Sequence, residues 1–203
     1  MKIELYGLGR PTRTTRVAWA LEEAGVDYDL HAIDPRTDDF LAINPMGKVP
    51  ALVVDGQVLT ESGACCFWVA DQFPDAGLAP AAGTWERAQT DRWAQFVLTE
   101  LEQPLWLKAK HSFALPKDVR VPEVKPAAAW EFARATQVLE KAVEGRTHLV
   151  GDRFTVADLL ATHTVIWAQH SKFAVPPAVM AYAAQHMMRP ALQRAMTRET
   201  ASR

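Results

Sequence analysis

Glu61 and Ser62 stand side by side at the start of an apolar run, nine residues past the end of Asn44-Pro-Met-Gly-Lys-Val-Pro-Ala-Leu52. A helix N-terminus offers free N–H groups and the positive end of its dipole to a carboxylate. A glutamate just before it can pair with an ammonium. The pair therefore suits a ligand that carries an α-amino and an α-carboxyl group together. Upstream, Val49-Pro50 lies between a turn (Asn44-Pro45-Met46-Gly47) and an apolar strand. Proline at a strand entry cannot donate a ladder hydrogen bond, and X-Pro bonds are the ordinary home of cis peptides. A cis bond here would turn the Val49 N–H and C=O outward, toward a ligand.

The elements that must hold these residues alternate in type. Lys2 to Tyr6 reads as a strand with Ile3 and Leu5 on one face. From Thr12 to Ala24, Val17, Ala20, Leu21 and Ala24 form a helical stripe, and Gly25 is placed to end it. A second strand runs from Tyr28 to Ile33, then a loop and short helix over Pro35 to Ile43. Strands Ala51 to Val54 and Gln57 to Thr60 meet at Asp55-Gly56, a strong two-residue hairpin signal. A helix from Ser62 to Gln72 closes the unit. The Pro/Gly/Ala-rich stretch Pro74 to Gly83 marks a boundary, and the chain beyond it reads as helical. The stripes there are Trp93, Phe96, Val97, Leu101, with a kink at Pro104; then Ala129, Phe132, Ala133, Thr136, Leu139, Val143; then Val156, Leu159, Leu160, His163, Trp167. The expected fold class is an α/β thioredoxin-like N-terminal domain followed by an all-α helical-bundle C-terminal domain. The boundaries are 1–78 for the first, 79–86 for a linker and 87–203 for the second.

The Asn-Pro-x-Gly-Lys-Val-Pro-Ala-Leu run and the Glu-Ser pair resemble the glutathione site of the cytosolic glutathione transferase superfamily. Ile3-Glu-Leu-Tyr-Gly7 and Arg16-Val-Ala-Trp-Ala-Leu-Glu-Glu-Ala-Gly25 resemble its first strand and helix, and Gly151-Asp-Arg-Phe-Thr-Val-Ala-Asp158 its C-terminal capping motif. The resemblance spans nearly the whole chain, in the family's order. It implies glutathione as co-substrate, held by Arg36, Lys48, Val49, Pro50, Glu61 and Ser62, with the Val49 backbone pairing like an added strand. Arg36 has an equal reading as a solvated loop charge.

The chemistry so implied is thiolate formation. Free thiols ionise near pH ~8.5, and helix N-termini or nearby cations lower that value. In the family the loop before the first helix carries the activating Tyr, Ser or Cys; in bacterial members the serine position falls on Thr12. Gly7 takes the place of the tyrosine. Thr12 can also be read as a helix cap, with Arg13 and Thr14 as alternatives for activation. The second substrate, a small hydrophobic electrophile, is expected near Trp106, Lys110, His111 and Phe113, between the first-helix loop and the helical domain. A homodimer is implied as well. The alternative functions are a non-catalytic glutathione-binding or interaction module, or a glutathione-dependent thiol reductase or isomerase; residues 6–17 contain no redox cysteine for the latter.

Composition narrows the field. Residues 1–78 carry 6 Lys/Arg and 12 Asp/Glu, a net −6, and the remainder carries +4. No basic block stands out, which disfavours nucleic acid. No apolar run approaches the ~20 residues of a membrane span, and no signal sequence opens the chain, so a cytoplasmic location is expected. Cys65-Cys66 matches neither a disulfide framework nor a metal spacing and reads as buried packing. Thr155-x-x-Asp158 is a capping box, and His163 a core histidine.

Overall fold

The computed structural model describes residues 1–201. The chain divides into two compact units. The first contains Met1–Ala82 together with the chain from Met188 on, and the second Gly83–Met187.

In the first unit the order is β1 (Ile3–Gly7), α1 (Thr14–Glu23), β2 (Asp29–Ala32), α2 (Asp38–Ile43), β3 (Ala51–Val54), β4 (Gln57–Thr60) and α3 (Ser62–Gln72). The sheet runs β2-β1-β3-β4, with β1 and β2 parallel and the other pairs antiparallel. This is the thioredoxin-like arrangement. Strand alternation puts Ile3 and Leu5 in the core. The Asp55-Gly56 turn has both residues at positive φ, 47° and 83°, as a tight hairpin of this type requires. Thr37 caps α2, its hydroxyl accepting the Phe40 N–H.

Helix α1 ends as its sequence predicts. Gly25 takes φ 65°, and its N–H and that of Val26 donate to the carbonyls of Glu22 and Leu21. Its burial is wider than the four-residue stripe suggested: every residue from Thr14 to Glu22 is buried, Arg16 and Glu22 included. The reason is that α1 packs against α3 and also against the last helix, α9 (Pro190–Ala201). A helix covered on two sides has no polar face to show to water.

Charge pairing fixes α9 on α1. The Arg194 Nε donates to Glu22 Oε2 at 2.7 Å, the Arg198 Nη1 to Glu22 Oε1 at 3.2 Å, and the Arg189 guanidinium to both oxygens of Glu23. Arg198 also lies over the Tyr28 ring, 4.0 Å from its centroid, and donates to the Tyr28 carbonyl.

The second unit holds α4 (Trp85–Phe96), α5 (Gln103–Ala109), α6 (Val124–Val143), α7 (Val156–His170) and α8 (Pro177–Met187). Between α4 and α5 the ladder widens into a π turn over Val97–Leu101, where the Glu102 N–H reaches back to Val97. Pro104 explains it: the ring has no N–H to give and crowds the preceding turn, so the helix resets there. On α6 the inward residues are Ala128, Phe132, Ala135, Thr136, Leu139 and Val143, while Ala129 and Ala133 face water. Alanine alone carries too little hydrophobic signal to choose between adjacent positions. Asp158 and Thr155 form the capping box of α7. Among the described residues no helix is long and apolar enough to cross a membrane.

Glu22→Ala strips two arginines of their shared partner. Those arginines are 54% and 40% exposed, so water recovers part of the loss. The expected destabilisation is roughly 1–3 kcal/mol, measured by urea unfolding; an unchanged midpoint would contradict the clamp.

Candidate functional site

The loop before β3 is built around a buried asparagine. Asn44 Nδ2 donates to the Lys48 carbonyl at 2.6 Å, and its Oδ1 accepts the Met46 N–H at 3.1 Å. Gly47, at φ 59°, sits in a conformation and a space that favour glycine: a Cβ there would lie 3.1 Å from the Pro35 carbonyl oxygen. The Val49–Pro50 peptide is cis. Pro50 is buried and Ala51 enters the sheet between Tyr6 and Thr60. Neither the N–H nor the C=O of Val49 has a hydrogen-bond partner among the described residues. An extended segment laid antiparallel beside Val49 would satisfy both groups.

Glu61 is exposed and Ser62 buried at the first position of α3. The Glu61 backbone sits at φ 65°, ψ 110°, outside the wells that L-residues favour. Such a conformation costs about 1–3 kcal/mol and is retained where surrounding structure demands it. Its carbonyl accepts the Cys65 N–H at 3.0 Å, so the strained residue is also the helix's first acceptor. Beneath Ser62 lies a group that motif reading passed over. Arg16 Nη1 donates to Ser62 Oγ at 3.2 Å, and Arg16 is wholly buried. Its cation adds to the positive end of α3, where anions are already favoured. The signal was present in the sequence: Arg16 falls on the α1 stripe, four residues before Ala20.

At the start of α1 three threonines share their hydrogen bonds. Thr12 Oγ accepts the Thr14 N–H at 3.2 Å and lies 3.0 Å from Thr14 Oγ; the Thr12 N–H donates to Thr15 Oγ at 3.2 Å. Thr12 thus takes up the first N–H of α1 from one residue outside the N-cap position, which Arg13 holds. Thr14 and Thr15 are buried, so Thr12 alone of the three keeps a partly exposed side chain. Gly7 has a positive reason to be glycine: a Cβ there would come within 2.7 Å of Thr14 Cγ2. Arg13 is the residue immediately before α1 and makes no side-chain cap.

The other expected residues are more scattered. Arg36 is 86% exposed and gives bidentate bonds to Asp34, whose carboxyl those bonds hold down at about 2. Lys48 is exposed. In the second unit Trp106 lies on α5, while Lys110, His111 and Phe113 belong to the π turn after it. His111 Nδ1 accepts the Val121 N–H, and Phe113 is exposed. A cleft of about 330 Å³ in this unit is lined by α4, α6 and residues 149–151 and contains none of the expected residues.

His148, Asp158 and His186 bring potential ligand atoms within 4.8 Å of one another. The Asp158 carboxylate is committed elsewhere: it accepts from the N–H groups of Leu149 and Thr155 and the hydroxyls of Thr155 and Tyr182. With four donors on two oxygens, its chemistry is that of a helix start.

The thioredoxin-like unit, the unpartnered Val49 main chain and the helix-start Glu-Ser pair define a glutathione transferase type of architecture. Residues 1–71 match the family model described as glutathione S-transferase, N-terminal domain, and residues 103–190 match the glutathione S-transferase C-terminal domain. The chain belongs to the glutathione S-transferase family. It is 31% identical over 155 residues to glutathione S-transferase GstA of Escherichia coli O157:H7, covering 73% of this chain and 74% of that protein. It is 30% identical to glutathione S-transferase 3 of Zea mays, over 86% of this chain and 80% of the maize protein. A solved glutathione transferase from Methylococcus capsulatus superposes with a TM-score of 0.85 at 33% identity, covering 97% and 98% of the two chains. A sphingomonad glutathione S-transferase solved in complex with glutathione gives 0.82 at 31% identity, with the same coverage.

Burial pushes the Cys65 thiol up to about 12 and drives Cys66 well above its ordinary value. Both should resist alkylation at pH 7–8 in the folded protein and react fully in denaturant, as read by mass spectrometry. Rapid labelling of either in the native state would contradict their packing role.

Proposed function

We propose that the protein is a glutathione transferase that binds glutathione along the Val49–Pro50 edge and ionises its thiol for attack on a small hydrophobic electrophile. The observation that carries this reading is the unmatched main-chain N–H and C=O of Val49, immediately before β3. The cysteinyl part of glutathione pairs with that main chain. The γ-glutamyl carboxylate takes the Ser62 hydroxyl and the α3 N-terminus, with Arg16 behind them, and Glu61 takes the ammonium. Lys48 and Arg36 are left for the glycyl carboxylate, Arg36 by exchanging Asp34 for the ligand. Thr12 turns its hydroxyl from Thr14 to the thiolate. The family match and the sphingomonad complex with glutathione support this assignment. Held thiolate and electrophile then react by proximity, with Trp106, Lys110, His111 and Phe113 contacting the second substrate.

Redox exchange is the weaker reading, because both cysteines are buried and neither belongs to the loop before α1.

Calorimetry with glutathione, paired with thiolate absorbance of the complex against pH, tests the assignment. Ser62→Ala or Glu61→Ala should weaken binding by about 1.5–3 kcal/mol, the worth of a charge-assisted hydrogen bond. Thr12→Ala should bind glutathione nearly as well while raising the thiol pKa by ~1 unit, or ~1.4 kcal/mol; Thr12→Ser should restore it. Undiminished affinity in both carboxylate-end variants would sink the binding mode. A shift in Thr14→Ala or Arg13→Ala but not Thr12→Ala would move the activating role along the loop. Binding without any thiol shift would leave a glutathione-binding module.

We further propose a symmetric homodimer, the commonest soluble assembly, supported by the opposite charges of the two parts of the sequence. Sedimentation at micromolar protein should give twice the 22.5 kDa chain mass. A single species at the chain mass would refute it.

A further inference from the structure

Helix α9 supplies the first unit with a buried acid that the proposed chemistry does not use. Glu199, on α9, is 1% exposed, and the Thr15 hydroxyl donates to its Oε2 at 2.5 Å. Thr15 is buried on α1 and its oxygen also accepts the Thr12 N–H. A hydroxyl has one proton and two lone pairs. With the proton committed to Glu199, a lone pair is aimed at the Thr12 backbone, and the two bonds tie the end of α9 to the residue that would face the thiol. The arginine clamp from Arg189, Arg194 and Arg198 to Glu22 and Glu23 holds α9 in the position from which Glu199 can do this.

We propose that Glu199 is a positioning residue for thiol activation: through the Thr15 hydroxyl, its carboxyl group fixes the backbone of Thr12. The proposal rests on the reading that Thr12 meets the thiolate. No bond to glutathione forms or breaks at Glu199; it acts only through Thr15.

The protonation state of Glu199 matters to the tie. Burial raises its carboxyl to about 7, against the opposing effect of the Thr15 bond. Above that pH the carboxylate can only accept, so the Thr15 proton points to it and the Thr15 oxygen remains open to the Thr12 N–H. Below it the carboxyl can donate to Thr15 Oγ and compete for the lone pairs. The tie therefore tightens as pH rises through about 7. Other charged or titratable groups on the surrounding elements are Arg16, Glu22 and Glu23 on α1, Tyr28 just before β2, Asp29 and His31 on β2, and Arg194 and Arg198 on α9. Arg16 is directed to Ser62 and the two α9 arginines to Glu22, so those cations have acidic or polar partners of their own.

The test uses the full chain with Glu199→Ala, Glu199→Gln and Thr15→Val. Three quantities are read: amide hydrogen exchange at Thr12, the thiol titration of the glutathione complex, and, with a small aromatic chloride as the electrophile, kcat and KM for glutathione between about pH 6 and 9. Glu199→Ala should speed Thr12 exchange about tenfold, raise the bound thiol pKa by ~1 unit and lower kcat about tenfold, one pKa unit being a factor of ten. KM for glutathione should change less than about twofold, because Glu61 and Ser62 are untouched and uniform binding is what KM reports. Glu199→Gln keeps an oxygen for the Thr15 proton, so it should rescue kcat while removing the step in Thr12 exchange near pH 7. Thr15→Val should reproduce Glu199→Ala. If Thr12 exchange in Glu199→Ala matches wild type, the tie does not exist and the proposal falls. If wild type lowers the thiol pKa but Glu199→Ala leaves it unmoved, this proposal falls and the Thr12 reading stands. A wild-type complex whose thiol titrates like free glutathione overturns both.

Discussion

Helix α1 must come within contact of the end of β1, and the rest of the first unit depends on that approach. Glycine at position 7 makes room for it: with Thr14 where it lies, a Cβ would come within 2.7 Å of Thr14 Cγ2. With α1 in that place, Arg16 reaches under the start of α3, Thr15 meets α9, and Thr12 is left at the edge with its side chain partly in water. One helix therefore meets β1, α3 and α9. Its burial on two sides demands that its polar residues find partners inside the protein, and they do: Arg16 with Ser62, Thr15 with Glu199, Glu22 with two arginines.

The groups proposed to meet glutathione are held by different means. At Val49 the sheet itself positions the main chain, with Asn44 bracing the loop from within through Lys48 and Met46. At Glu61 the backbone is held out of its preferred wells between a strand that ends at Thr60 and a helix that starts at Ser62. No spare residue joins the two elements, so the turn is made in one step, and glutamate occupies a conformation in which glycine would be at ease.

The sequence carried the strands, the hairpin and the site motifs because their signals are local: alternation, an Asp-Gly turn, a proline at a strand entry, a Glu-Ser pair at a helix start. Elements held by long-range partners were harder to read. Arg16 looks like one more charge until α3 is in place above it. Glu199 looks like part of a solvated terminal helix, since its partner Thr15 lies more than 180 positions away. On α6 the choice of Ala128 and Ala135 over Ala129 and Ala133 depended on which neighbours pack there. Threonines crowd positions 12 to 15, and local pattern does not tell them apart; packing leaves Thr12 half-buried and Thr14 and Thr15 buried.

The first unit is discontinuous: its opening 82 residues are joined by a helix that begins at Pro190. A ribosome makes the second of these pieces only after the whole of the other unit, Gly83–Met187, has been added. Until α9 emerges, the acidic pair Glu22 and Glu23 and the side of α1 that meets α9 have no cover, whatever else has folded, and joining sequence-distant segments is slow compared with local contacts. In a chain built from its N-terminus, the domain that starts first is the one that finishes last.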